Sequence, residues 1–155
     1  MTKDVLISVS GIQFGPDVNG EKVEVITKGN YYKKNNKHYL LYDEIQEGID
    51  GVTKNLVKFD DNAFQLTKSG VTNVNMLFEE NKRNITNYIT PFGNIMIGID
   101  ARSIDVEESK DQIRIRIDYA LDVNYEHLAN CEIRMDISSK SERAFSLDGK
   151  KEGVS

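Results

Sequence analysis

Apolar and polar residues alternate with a period of two along almost the whole chain, and helical periodicity is hard to find. The clearest run has six alternating apolar positions: Ile113, Ile115, Ile117, Tyr119, Leu121 and Val123. A helix would scatter these side chains around its circumference, whereas a strand places them all on one face. The pattern therefore predicts a long strand with one buried face and one face in solvent.

The same alternation predicts nine further strands, at residues 4–14, 21–32, 38–44, 52–59, 63–68, 71–79, 83–90, 94–101 and 128–138. Their connections are short and rich in turn residues, as at Asn35–Asn36, which tolerate the positive φ of a tight hairpin. Ten strands joined in this way predict an all-β fold, a closed antiparallel up-and-down barrel of about 8–10 strands, since closure removes the sheet edges. A sandwich is the alternative, but it more often needs long crossing connections.

Residues 1–138 are predicted to form this one barrel domain, and residues 139–155 a weakly structured C-terminal tail rich in serine and charge. Two longer breaks within the domain, residues 45–51 and 102–111, are predicted to be loops. The first contains two glycines and is placed to cover one mouth of the barrel.

Composition narrows the classes of function. The chain has 155 residues and a formal net charge of −5, which argues against a protein that follows nucleic-acid phosphates. One cysteine forms no internal disulfide, and no apolar run has the length of a signal peptide core or a membrane helix. We therefore expect a cytoplasmic protein that binds neither nucleic acid nor membrane, present as a monomer or a homodimer.

The residues that usually carry catalysis or bind cofactors are sparse. The chain has two histidines, His38 and His127, and no zinc, nucleotide or nucleophile-elbow motif, so we predict no cofactor and no metal. Both histidines are interpreted as ordinary surface residues. The adjacent carboxylates Asp43 and Glu44 point to opposite faces of a strand and cannot simply share a site, which does not favour an enzyme.

Two features nevertheless suggest a binding site. Glu44 lies on the same strand face as Leu40 and Tyr42 and so points inward, where a carboxylate requires a partner from a neighbouring strand or a ligand cation. Tyrosines are grouped on two consecutive strands, where they either pack the sheet or line a cavity and orient a ligand. Nearby lysines at the hairpin tip are interpreted as solubilising residues.

Four segments, in this order, resemble the YwiB-like family of small bacterial proteins: residues 29–34 (GNYYKK), 38–44 (HYLLYDE), 48–53 (GIDGVT) and 87–99 (NYITPFGNIMIGI). The last of these looks like the Y-x-T-P-[YF]-G hairpin of that family. The resemblance covers roughly residues 2–138. It implies a calycin-like, lipocalin-related β-barrel of unknown function, with no catalytic residues to transfer.

A barrel of this size either fills its interior with side chains or leaves room for one small ligand. We therefore expect a non-enzymatic barrel that binds a small, partly apolar ligand, with pocket residues Tyr32, Tyr42, Glu44, Met76 and Tyr88. The alternative is a filled barrel that acts as a protein–protein interaction module.

Overall fold

The computed structural model describes residues 3–11, 24–45, 48 and 50–139. This part of the chain contains ten strands and no helix, so it holds no helix that could cross a membrane. The strands are β1 (Asp4–Ser10), β2 (Glu24–Lys34), β3 (Lys37–Glu44), β4 (Thr53–Phe59), β5 (Ala63–Gly70), β6 (Val74–Glu79), β7 (Arg83–Thr90), β8 (Gly93–Glu108), β9 (Gln112–Val123) and β10 (Glu126–Ser139). The predicted all-β class is confirmed.

All ten strands belong to one antiparallel sheet, in the order β6-β5-β4-β3-β2-β1-β10-β9-β8-β7. The first and last strands of the chain pair along their length, with Val5 opposite Ser139 and Ser10 opposite Arg134. Every other neighbouring pair is consecutive in the chain, which is the predicted up-and-down meander. The sheet curls into a nearly closed barrel.

Closure is incomplete between β6 and β7, the two strands at the ends of the sheet order. Among the described residues one bridge joins this side, in which Asn73 and Ile89 exchange two N–H···O bonds of 2.9 Å. Further along this seam, the Asn84 side-chain amide donates to the Leu77 carbonyl oxygen at 3.0 Å. The prediction of a barrel is confirmed, but one seam keeps two strand edges that are largely unpaired by backbone.

An aromatic series crosses the inside of the barrel. The ring of His38 stacks on Phe59 at a centroid distance of 4.6 Å, and Phe59 contacts Phe64 at 6.1 Å. Phe78 then meets Phe64 and Tyr119 edge to face, at 5.7 and 5.1 Å. These rings project from β3, β4, β5, β6 and β9, so they reach across the interior and, with the aliphatic core residues, fill it with side chains.

Two hairpins show how local sequence sets the register. Asn35 and Asn36 both have positive φ, 53° and 63°, in the two-residue loop between β2 and β3. Asn124 and Tyr125 likewise have positive φ in the two-residue loop between β9 and β10. Two-residue loops of this kind match the twist of the flanking strands, and the hairpin predicted at Asn35–Asn36 is confirmed.

One predicted loop is wrong. Residues 102–108 continue β8, and a β-bulge between Ala101 and Ser103 changes which residues point inward. Ala101 is buried before the bulge and Ile104 after it, so the period-two pattern is broken by one residue. The predicted strand ends at 12–14 and 21–23, part of the 45–51 loop and the tail from residue 140 lie outside the described residues. Ser139 is the last residue of β10.

The antiparallel strands define two ends of the barrel. The Glu44 end carries the last residues of β1, β3, β5, β7 and β9, and the His38 end carries their first residues. The two ends hold different buried polar groups: Glu44, Asn55 and Lys68 at the first, and His38 at the second.

Candidate functional site

A buried polar cluster lies at the Glu44 end of the barrel, on the inner face of β3, β4 and β5. Tyr42, Asn55 and Lys68 are direct cross-strand neighbours in one row, and Glu44 lies two residues beyond Tyr42 on β3. All four share the period-two positions of the core residues on their strands, which is why they point inward. We call Glu44, Asn55 and Lys68 the polar cluster.

The polar cluster is held together by Glu44. Its Oε1 atom lies 2.6 Å from Lys68 Nζ and accepts a longer bond, 3.5 Å, from Asn55 Nδ2. The Lys68 and Glu44 side chains are 6% and 14% exposed. Lys68 is thus the neighbouring-strand partner that an inward carboxylate requires.

Asn55 is the most unusual member of the polar cluster. The residue is 2% exposed, and within the described part of the chain its Oδ1 atom has no hydrogen-bond partner. The contact of Nδ2 with Glu44 fixes the orientation of the amide, because a flipped amide would place two acceptor oxygens together. A buried acceptor without a donor costs about 1–3 kcal/mol, so this atom favours a ligand that donates.

Two tyrosines border the polar cluster. Burial raises the pKa of Tyr42 above the usual value of a phenol, and the Glu44 carboxylate adds to the effect. The pKa of Tyr88 is raised by the same two causes. Both phenols therefore keep their protons at neutral pH, so each hydroxyl is available to donate a hydrogen bond.

The structure brings together three of the five predicted pocket residues, Tyr42, Glu44 and Tyr88. Met76 is fully buried in the core. Tyr32 does not lie in the predicted pocket. Its side chain is on the outer face of β2, where it is 46% exposed and its ring stacks on Tyr39. The alternation along β2 explains the difference, since Tyr31 takes the inward position and Tyr32 the outward one.

Asn55 and Lys68 were not among the residues predicted to line the pocket. The alternating pattern does mark both residues. Lys68 is an even number of positions from the apolar residues Phe64 and Leu66, and Asn55 is two positions from Val57, so each falls on the apolar face of its strand. A lysine or an asparagine at an inward position of a strand is a candidate for a buried polar role.

His38 is also wrongly predicted, since it is buried at the opposite end of the barrel while His127 is exposed. Its Nδ1 atom lies 2.6 Å from the Tyr31 hydroxyl, and its Nε2 atom lies 3.6 Å from Glu108 Oε1. Burial raises the pKa of Tyr31 to about 12, so its hydroxyl keeps its proton. The Glu108 carboxylate near Nε2 favours the neutral tautomer with the proton on Nε2, in which Nδ1 accepts from the Tyr31 hydroxyl. Burial lowers the pKa of His38, although Glu108 opposes this.

A third polar region is a depression of about 490 Å³ along β8, β9 and β10, lined in part by Arg102, Tyr119 and Cys131. Burial raises the pKa of the Cys131 thiol, which is the opposite of what an activated nucleophile needs. No group of three metal-binding side chains occurs among the residues that the structure describes.

The fold and the polar cluster together define a class: a nearly closed, ten-stranded antiparallel β-barrel with a packed centre and buried polar groups at both ends. The chain belongs to the family described as "Domain of unknown function (DUF1934)", whose model matches residues 7–135. It is 34% identical over 119 residues to the "Uncharacterized beta-barrel protein YwiB" of Bacillus subtilis (strain 168), covering 76% of this chain and 82% of that protein.

Comparison of structures gives the same relative. The crystal structure of the ywiB protein from Bacillus subtilis matches with a TM-score of 0.69 at 25% sequence identity. The match covers 88% of this chain and 89% of that chain. The predicted YwiB-like membership is confirmed. The more distant relation to calycins and lipocalins stays a prediction.

Proposed function

We propose that the protein binds a small, partly apolar ligand at the Glu44 end of the barrel, through a hydroxyl or N–H group that donates to Asn55 Oδ1. The buried, unpaired acceptor of Asn55 is the observation that carries this proposal. Glu44 and Lys68 already neutralise each other at 2.6 Å, so the donor group of a neutral ligand suffices. A single cysteine supports a cytoplasmic setting.

The surroundings of the polar cluster support a ligand with an apolar part. Ile45 and Val52 flank the inward residues Glu44 and Thr53, and both are exposed at this end. Because the centre of the barrel is packed, the ligand would lie at the mouth, with its donor inward and its apolar part against these side chains.

The test compares two probes of equal size, cyclohexanol and cyclohexanone, which differ in having a hydrogen-bond donor. The side-chain amide resonances of Asn55 are followed by ¹H–¹⁵N NMR as each probe is titrated. We expect cyclohexanol to give saturable shifts at a concentration at least fivefold lower than cyclohexanone, since a buried acceptor gains a partner only from the alcohol.

The matched variant Asn55→Leu, followed through the backbone amide of Tyr88, should bind both probes equally. Equal responses of the wild-type protein to the two probes, or saturable shifts from neither, would refute the proposal.

A second candidate function is the filled-barrel protein interaction module, and its specific support is β7. This strand borders the seam and exposes Ile85 and Ile89 on its outer face, 49% and 45%. An exposed strand edge with apolar neighbours is a site for strand addition, in the simplest case by β7 of a second copy. Sedimentation velocity should then show a dimer that Ile85→Lys dissociates, whereas a monomer at all concentrations would contradict this function.

A further inference from the structure

The outer surface of β2, β3 and β4 concentrates positive charge on a protein whose net charge is −5. Strand alternation places five lysines and two tyrosines there. Lys37 lies 4.0 Å from Asp60 and is set apart. We call the other six residues the lysine–tyrosine face: Lys28, Tyr32, Lys34, Tyr39, Lys54 and Lys58. Within the described part of the chain, none of the four lysines forms an ion pair. Among the residues of these three strands whose side chains the structure describes, Asp43 is the one acidic residue that shares this surface.

The outer surface of β9 and β10 differs from the lysine–tyrosine face, because its cationic side chains form ion pairs. Glu132 lies 2.8 Å from Arg116 and 2.5 Å from Arg134, and Asp136 lies 3.5 Å from Arg114. The cations of that surface are therefore neutralised locally, whereas those of the lysine–tyrosine face are not. Net charge is a total, and the distribution decides what each surface attracts.

The two tyrosines of the lysine–tyrosine face form a stacked pair, which we call the platform, and each ring covers one face of the other. The rings of Tyr32 and Tyr39 are stacked, with centroids 4.8 Å apart and planes 6° from parallel. Lys58 Nζ lies 5.7 Å from the centroid of Tyr39. In the next row along the strands, Leu41 and Leu56 are direct neighbours and partly exposed. Cross-strand packing accounts for the stacking, but not for the exposure of apolar surface among four unpaired lysines.

We propose that the lysine–tyrosine face binds single-stranded nucleic acid. The outer ring face of Tyr32, which is 46% exposed, offers a stacking surface for an unpaired base. The lysines around it contact successive phosphates, and single-strand binding combines these two features. Tyr32 and Lys58 lie in one cross-strand row separated by two strand spacings, about 10 Å, which is within the reach of two nucleotides. A duplex offers no unstacked base to the tyrosines, and an acidic peptide has no use for the platform.

This surface is separate from the polar cluster, whose residues lie on the inner face of the barrel. The expectation that the protein binds no nucleic acid rests on its net charge and on the interpretation of the hairpin-tip lysines as solubilising residues, and neither considers how charge is distributed over the folded surface. The two proposals stand or fall independently, because different residues and different probes test them.

The experiment is fluorescence anisotropy with the full chain and a fluorescein-labelled 20-nucleotide poly(dT) at 50 mM salt, repeated with poly(rU). Binding should be saturable and should weaken with salt, with a log–log slope near −2 if three phosphates are contacted, at about 0.7 each. Two double variants test the parts: Tyr32→Ala with Tyr39→Ala removes the platform, and Lys54→Glu with Lys58→Glu reverses two charges.

We expect the tyrosine variant to lose at least about fivefold in affinity, the lower bound for one stacked base. The lysine variant should lose at least tenfold. Phe92→Ala and Lys110→Glu are the matched controls, because both residues are exposed and neither belongs to the lysine–tyrosine face. Both controls should bind like the wild-type protein.

Three results would overturn the proposal. The first is the absence of saturable binding at 50 mM salt. The second is equal affinity of wild-type protein for a labelled 20-residue poly-glutamate peptide, which would identify a general anion surface. The third is unchanged affinity in the tyrosine variant, with circular dichroism showing that it is folded.

Discussion

Replacing Lys68 by methionine tests whether the polar cluster is a genuinely buried ion pair. Methionine keeps most of the apolar stem of Lys68 but removes the ammonium group that lies 2.6 Å from Glu44. Removing one partner of a buried pair costs about 3–5 kcal/mol, because the other charge stays buried without compensation. Since the Glu44 side chain is 14% exposed and partly screened by water, we expect the lower bound, about 3 kcal/mol.

The assay is guanidinium chloride unfolding at pH 7.5, followed by far-UV circular dichroism. The exposed pair of Arg114 and Asp136 supplies the control, and Arg114→Met should cost less than about 1 kcal/mol. Adding Glu44→Gln to Lys68→Met should restore most of the lost free energy of unfolding, because no buried charge is then left. A loss below about 1 kcal/mol in Lys68→Met, or no recovery in the double variant, would refute the buried pair.

Three further predictions concern other parts of the barrel. Folding lowers the pKa of His38, so the free energy of unfolding of the wild-type protein should be highest above pH 6.5 and should decrease as the pH falls below that value. Denaturant unfolding at several pH values should show a weaker pH dependence for His38→Gln. The control His127→Gln, at an exposed position, should keep the wild-type dependence. Gly29→Ala should lower the free energy of unfolding by at least about 1 kcal/mol, since an added Cβ would lie 2.5 Å from the Ile7 side chain and 2.7 Å from the Leu41 carbonyl oxygen. Equal stability of variant and wild type would contradict this prediction and show that the neighbouring strands can move apart at this position. The Cys131 thiol should react with a disulfide reagent at pH 8 more slowly than free cysteine, because burial raises its pKa, and equal rates would contradict this.

Much of the fold follows from the alternation of apolar and polar residues, because a strand with one buried face must show it. The strand predicted from Ile113 to Val123 lies within β9, Gln112–Val123, and its apolar positions lie in the core or against it. The alternation fails in β8, where the bulge between Ala101 and Ser103 moves the inward side from odd to even positions. A prediction that assumes strict alternation fails at the bulge, because the inward positions shift by one residue. The charged residues that follow were therefore predicted to be a loop.

The candidate site was only partly predictable. The alternation along the strands alone places Glu44 inside the barrel. The same alternation also puts His38 and Lys68 on the inward faces of their strands. The pairing of Lys68 with Glu44 depends on the register of β3, β4 and β5, which the hairpin loops set and composition does not reveal. The unpaired oxygen of Asn55 is a property of three-dimensional packing, and no sequence motif marks it.

The most direct test of the proposed ligand site is native mass spectrometry of the protein purified from its own host without denaturation, beside the variant Asn55→Leu prepared in the same way. Our account predicts a reproducible small added mass on the wild-type protein that solvent extraction recovers as a molecule with a hydroxyl or N–H donor. The variant should lack this mass. The bare chain mass in both preparations, or the same added mass in both, would contradict the account.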